Sequence, residues 1–139
     1  MGEYHILNDD EFNARETRNS QPVNISNSPW HILEHLKVAQ WDILEFIRNP
    51  AHESPQWPEG YWPDPAEESD QVQWDETISA FLSNLGSLRS IVKDPENDLY
   101  APIPHAPNYT IFREILVVAD HNAYHIGEFA VLRQVMSTW

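Results

Sequence analysis

Two histidines, His121 and His125, stand four residues apart, one turn of an α-helix, so their side chains share a face. Imidazoles at that spacing can present two nitrogens to one metal ion. The neighbouring apolar positions Val118, Phe129 and Leu132 aim that face inward. On a separate helical stretch His35 lies between Ile32 and Ala39, on the apolar side. Three inward imidazoles on facing helices make a three-nitrogen site. Such a site keeps one or more positions open for water or substrate, which is the pattern of a catalytic metal rather than a structural one. Zinc and nickel suit imidazole, and iron and copper are compatible with it. The competing reading is three separate core histidines, each satisfied by its own partner, and a bare His-x-x-x-His recurs by chance. It is not the zincin motif, because Asn122 follows His121 where that motif needs Glu. Burying three imidazoles without partners is costly, which favours the metal.

Other residues are candidates of a different kind. His105, in Pro102-Ile103-Pro104-His105, precedes the histidine-bearing helix. It is either a substrate contact or acid–base group, or a surface residue. Asp120 could orient an imidazole, but adjacent helical residues diverge by about 100°, so an exposed carboxylate is expected. His5, His31 and His52 carry no distinguishing signal. With no cysteine in the chain, any metal is held by nitrogen and oxygen, and disulfides, iron–sulfur clusters and a cysteine nucleophile are excluded.

The elements that position these residues follow from periodicity. Asn27 or Ser28 can cap a helix with Pro29 in its first turn. Ile32, Leu36, Ala39, Ile43, Phe46 and Ile47 then recur at three- and four-residue steps, up to about Asn49 before Pro50. Five prolines make residues 50–68 a loop, whose Trp57, Tyr61 and Trp62 are expected to be covered. Asp70 and Gln73 match a capping box, followed by the seam Trp74, Ile78, Phe81, Leu85, Leu88 and Val92. A second Pro-rich connection spans 94–109, and Thr110 caps a last helix striped by Ile111, Ile115, Val118, His125, Phe129, Leu132 and Met136. No segment alternates like a half-buried strand. The class is all-α: an antiparallel bundle, residues 28–139, with two long crossovers. Residues 1–27 read as a loose arm, or as a reduced first helix around 9–18.

The 139 residues include 22 acidic against 8 basic side chains, a net charge of −14. That excludes nucleic acid and anionic membrane as main partners, since both demand Lys and Arg. No apolar run reaches the ~18 residues of a membrane span, and the N-terminus lacks a signal-peptide pattern. A soluble cytoplasmic domain is the expectation. The acidic run at 53–76 contains no Lys or Arg and reads as a solvated face. Only three of the 22 carboxylates follow residue 100, so the histidine-bearing helix is spared.

These residues carry a family likeness. Ser28-Pro29-Trp30-His31-Ile32-Leu33-Glu34-His35-Leu36, continuing through Trp41-Asp42-Ile43-Leu44, resembles the second helix of DinB-like proteins. Asp120-His121-Asn122-Ala123-Tyr124-His125-Ile126-Gly127-Glu128 resembles their last-helix motif, and the loops at 57–63 and 101–105 are similar to one subgroup. The likeness spans residues 28–136. It implies a four-helix bundle, often a homodimer, with a divalent metal on His35, His121 and His125, the set that periodicity also selects. The wider superfamily includes thiol-dependent S-transferases and a mycothiol-dependent isomerase. The resemblance therefore implies a metal-dependent enzyme acting on a small molecule, with a low-molecular-weight thiol as cosubstrate. Metal-dependent hydrolysis is the runner-up, and a non-enzymatic, dimeric metal- or ligand-binding module is the rival class. Two departures stand out. Glu128 occupies a position where the family usually has Gln; Glu128 and His105 are the acid–base candidates. Residues 1–27 do not show the family's long amphipathic first helix. An anionic thiol is compatible with the spared last helix.

Overall fold

The computed structural model describes residues 15–138. Three long helices dominate: α2 (Pro29–Arg48), α3 (Gln71–Lys93) and α4 (Ile111–Met136). They are preceded by the helical turn Arg15–Arg18 (α1). Of the short helix expected around 9–18, residues 9–14 lie outside the described residues.

Each long helix starts where the sequence supplies a cap. Ser28 Oγ accepts the backbone N–H of His31 at 3.3 Å, and His31 Nδ1 accepts the Ser28 N–H in return. Imidazole thus takes the role that Glu or Gln usually plays in a capping box. Asp70 and Gln73 form the same reciprocal pair at α3, at 2.8 and 3.0 Å. Thr110 Oγ1 accepts the Arg113 N–H at 3.1 Å. α2 and α3 end at Asn49 and Asp94, each followed by a proline, which disfavours helical backbone in the residue before it.

α2 is the central element, packed against both α3 and α4. At one end Trp30, Leu33, Leu36, Trp74, Phe81 and Phe129 form the larger core; at the other, Leu44, Ile47, Leu88, Ile103 and Val118 form a smaller one. Between them Gln40 spans all three helices, its amide nitrogen donating to the Phe81 carbonyl at 2.7 Å and its oxygen accepting from Asn122 at 2.9 Å. At the α3 N-terminus, Arg18 and Asn19 donate to the Ser69 carbonyl, and Ser69 donates its N–H to Asn19.

Three sequence expectations need correction. The second crossover contains a short antiparallel ribbon, Pro102–Ile103 (β1) against Ala106–Thr110 (β2), with Pro102 opposite Thr110 and Ile103 opposite Ala106 across a bulge. It is too short and proline-rich to show alternation, yet it delivers Ile103 into the smaller core. Trp57 is 68% exposed, whereas Tyr61 and Trp62 are half-buried as expected. Val92 is also exposed, because the end of α3 borders an open apolar groove shared with α4. The acidic side chains of 53–76 are all exposed. Among the described residues, no helix is long and apolar enough to cross a membrane.

Candidate metal centre

α2 carries His35, two turns in from its cap, against the face of α4 that carries His121 and His125. The three side chains converge. Their ligand-capable atoms all lie within 4.8 Å of one another, and His35 Nε2 stands 3.0 Å from His121 Nε2. Two imidazole nitrogens on one tetrahedral zinc stand roughly 3.3 Å apart, so the spacing fits a shared ion. His35 and His125 are buried, and His121 is half-buried.

The outward nitrogens are already engaged, and this fixes what the inward ones can do. His35 Nδ1 is 2.9 Å from the Tyr61 carbonyl, which can only accept, so Nδ1 carries the proton and Nε2 keeps its lone pair. His125 Nδ1 likewise donates to Glu128 Oε2 at 2.6 Å. These are the outer partners that ligating histidines ordinarily have. Without a metal, His121 Nε2 must bring a proton to its contact with His35; a cation between the two would replace that proton.

The Pro-rich loop holds His35 in place. The 3-10 turn Glu59–Tyr61 folds tightly, with Gly60 N–H donating to the Gln56 carbonyl at 2.7 Å. A Cβ at Gly60 would meet Pro55 Cβ at 2.7 Å, so this close approach requires glycine. The Tyr61 hydroxyl then donates to Asp42 Oδ2 at 2.6 Å, and His52 Nε2 meets Asp42 Oδ1 at 2.6 Å. Asp42 lies two turns beyond His35 on α2. It pins Tyr61, whose carbonyl accepts the hydrogen bond from His35 Nδ1. Trp62 stacks flat on the His35 ring, with centroids 3.8 Å apart and planes 3° apart. Burial and the Asp42 carboxylate push the Tyr61 phenol up to about 12, so it remains a donor.

Burial also keeps the imidazoles neutral. It lowers His35 to about 4 against the opposing pull of the Tyr61 carbonyl, and lowers His121 to about 4 with help from nearby His125. His125 is lowered by burial too, and burial raises the Glu128 carboxyl while nearby His35 opposes the rise. Neutral imidazoles with free lone pairs are the form that binds metal.

The structure brings together His35, His121, His125 and Glu128, but not His105. His105 sits in the ribbon turn, exposed, with Nε2 donating to the Phe46 carbonyl at 2.8 Å. Phe46 is eleven residues beyond His35 on α2, roughly 16 Å along the axis at the helical rise. The short ribbon fixes His105 at the far end of α2, so its proximity in sequence to α4 does not bring it to the cluster. Asp120 is exposed, as expected. Sequence reasoning missed the Asp42–Tyr61 clamp, the Trp62 stack and the role of His52. The only hint was the aromatic density of a loop with five prolines. His31, also passed over, is the capping partner of Ser28. No family model, no curated protein and no solved structure matches the chain.

Proposed function

We propose that the protein is a divalent-metal-dependent enzyme whose metal is held by His35, His121 and His125, on a bundle of the DinB type. One observation carries the reading: His35 and His121 turn their Nε2 atoms to within 3.0 Å of each other, while the Nδ1 atoms of His35 and His125 are tied to outer acceptors. Core histidines with independent partners would have no reason to converge.

The donor set is all nitrogen and neutral, which suits zinc or nickel. When bound, the ion supplies Lewis acidity and activates a thiol or water as nucleophile at neutral pH. The chain's residues do the positioning. The Tyr61 carbonyl and the Glu128 carboxylate accept hydrogen bonds from the Nδ1–H groups of His35 and His125 and so fix their tautomers. Trp62 covers the His35 face and restricts solvent there. Glu128 is thereby an orienting group; its carboxylate is committed to His125. The chain has no cysteine, so a thiol consumed in the reaction comes from a cosubstrate. A thiol-dependent transferase is the concrete form of the reading, and the family resemblance supports it.

The test is metal content of the purified protein, followed by thiol transfer to a panel of electrophiles. One ion per chain is expected, lost in His35→Ala and His121→Ala. Unchanged stoichiometry in both variants defeats the site. Ester or amide cleavage without added thiol would shift the assignment to a hydrolase, and bound metal without any turnover to a binding module. The homodimer that the resemblance implies is read by sedimentation: a monomer at micromolar concentration removes it.

A further inference from the structure

A cavity of ≈ 460 Å³ adjoins the histidine cluster, within the range of about 300–1,000 Å³ that small-molecule sites occupy. Two of its lining residues touch His125. Glu128 accepts a hydrogen bond from His125 Nδ1, and the Tyr124 ring meets the His125 ring edge-on at 4.9 Å. Among the described residues, no Lys, Arg or His lines the cavity, and its single carboxylate is Glu128. The remaining polar side chains are neutral: the amides of Asn24 and Asn27 and the hydroxyls of Ser26 and Tyr124. Asn24 is held at φ 66°, in the left-handed region that Asn tolerates better than most residues. Ile32 and Val131 supply apolar wall, and at Gly127 an added Cβ would meet nothing within 4 Å.

We propose that this cavity receives the body of the substrate or thiol cosubstrate, and that this body is uncharged and partly apolar, with amide or hydroxyl groups, rather than polyanionic. The assignment of the reactive end rests on the metal reading of the cluster. A second carboxylate placed beside Glu128 would find no cation to pair with, and burying it unpaired is costly. The chain's net charge of −14 also repels it on approach. An uncharged body meets amides that can donate and accept, and apolar wall that gains from contact. A thiol with a neutral body is therefore favoured over an anionic one.

The experiment compares benzyl mercaptan with mercaptosuccinate, the same reactive group on two different bodies. Each is titrated into the cobalt(II)-loaded protein and followed by sulfur-to-cobalt charge-transfer absorption. Benzyl mercaptan is expected to bind at least about tenfold more tightly. Val131→Trp, at a half-exposed helical position that tolerates a large side chain, is expected to weaken it by a similar factor while the cobalt d–d bands persist. Equal or tighter binding of mercaptosuccinate overturns the proposal, as does indifference to Val131→Trp. A second arm uses metal-free protein, with N-benzylacetamide and benzylsuccinate followed by the amide resonances of Gly127 and Val131. If cobalt fails to bind but N-benzylacetamide fills the cavity in preference to benzylsuccinate, the metal reading falls and the cavity assignment stands. If neither benzyl mercaptan nor N-benzylacetamide binds there, the assignment falls.

Discussion

Two regions of the bundle, the groove between α3 and α4 and the histidine cluster between α2 and α4, are built on opposite principles. The groove between α3 and α4 holds ≈ 380 Å³ and is lined by Leu85, Leu88, Val92, Ile115 and Val118, with Arg89 and Lys93 at its border. It is the more apolar of the two, yet no histidine or carboxylate lines it among the described residues. The region around His35, His121 and His125 is crowded with polar groups, and nearly every one has an assigned partner. Tyr61, Asp42, His52 and Glu128 each make a hydrogen bond that constrains a ligand-capable imidazole or its support. The difference teaches how to find chemistry in a bundle of this size. Apolar space marks a surface that packing has left uncovered. Polar groups held in one orientation by a second layer of partners mark a site, because burying them costs free energy that packing alone would not recover.

The comparison can be broken by substitutions in each region. The largest effect is expected from the cluster itself: His121→Ala should reduce affinity for zinc, nickel or cobalt by about a hundredfold or more, measured by competition with a chromophoric chelator. Leu88→Ala, in the core behind the groove, should cost about 2–5 kcal/mol of stability by chemical denaturation while metal affinity stays unchanged. If Leu88→Ala weakens metal binding as much as His121→Ala, the two regions are not independent. Asp42→Asn should lower metal affinity by about tenfold with little change in thermal midpoint, because Asp42 acts on His35 only through Tyr61. A smaller effect is expected of pH on the metal-free protein. Unfolded, these imidazoles take up protons near 6.5; folded, His35 and His121 do so only near 4. Between those values the unfolded chain holds more protons, so stability should fall as pH drops from 6.5 toward 4. A flat thermal midpoint over that window would contradict the buried, neutral cluster. The smallest effect is expected at the groove rim, where Val92→Lys should change stability by about 0.5 kcal/mol or less.

Much of the helical framework was legible because its signals are local. Ser28, Asp70 and Thr110 cap the helices they were expected to cap, and Asn49 and Asp94 close theirs before proline. The inward faces of His35, His121 and His125 followed from three- and four-residue spacing. The ribbon at Pro102–Thr110 was not legible, because its two strands are too short for alternation and owe their pairing to Ile103 reaching the core. Which of the two readings of His105 holds was not legible for a related reason: a loop residue's neighbours depend on where the loop docks, and here it is a surface residue bonded to the Phe46 carbonyl.

What the sequence determines by itself is therefore the three long helices, the absence of any cysteine nucleophile or thiolate ligand from the chain, and the three imidazoles that can face one another. These depend on residue type and on spacing within one helix. Only the tertiary structure decides that His35 and His121 come within 3.0 Å, that the Tyr61 carbonyl accepts a hydrogen bond from His35 Nδ1, and that Asp42 and Trp62 hold the arrangement. Those pairs join residues on different elements, up to 86 positions apart. Their distances follow from how helices and loops pack, which no local period encodes.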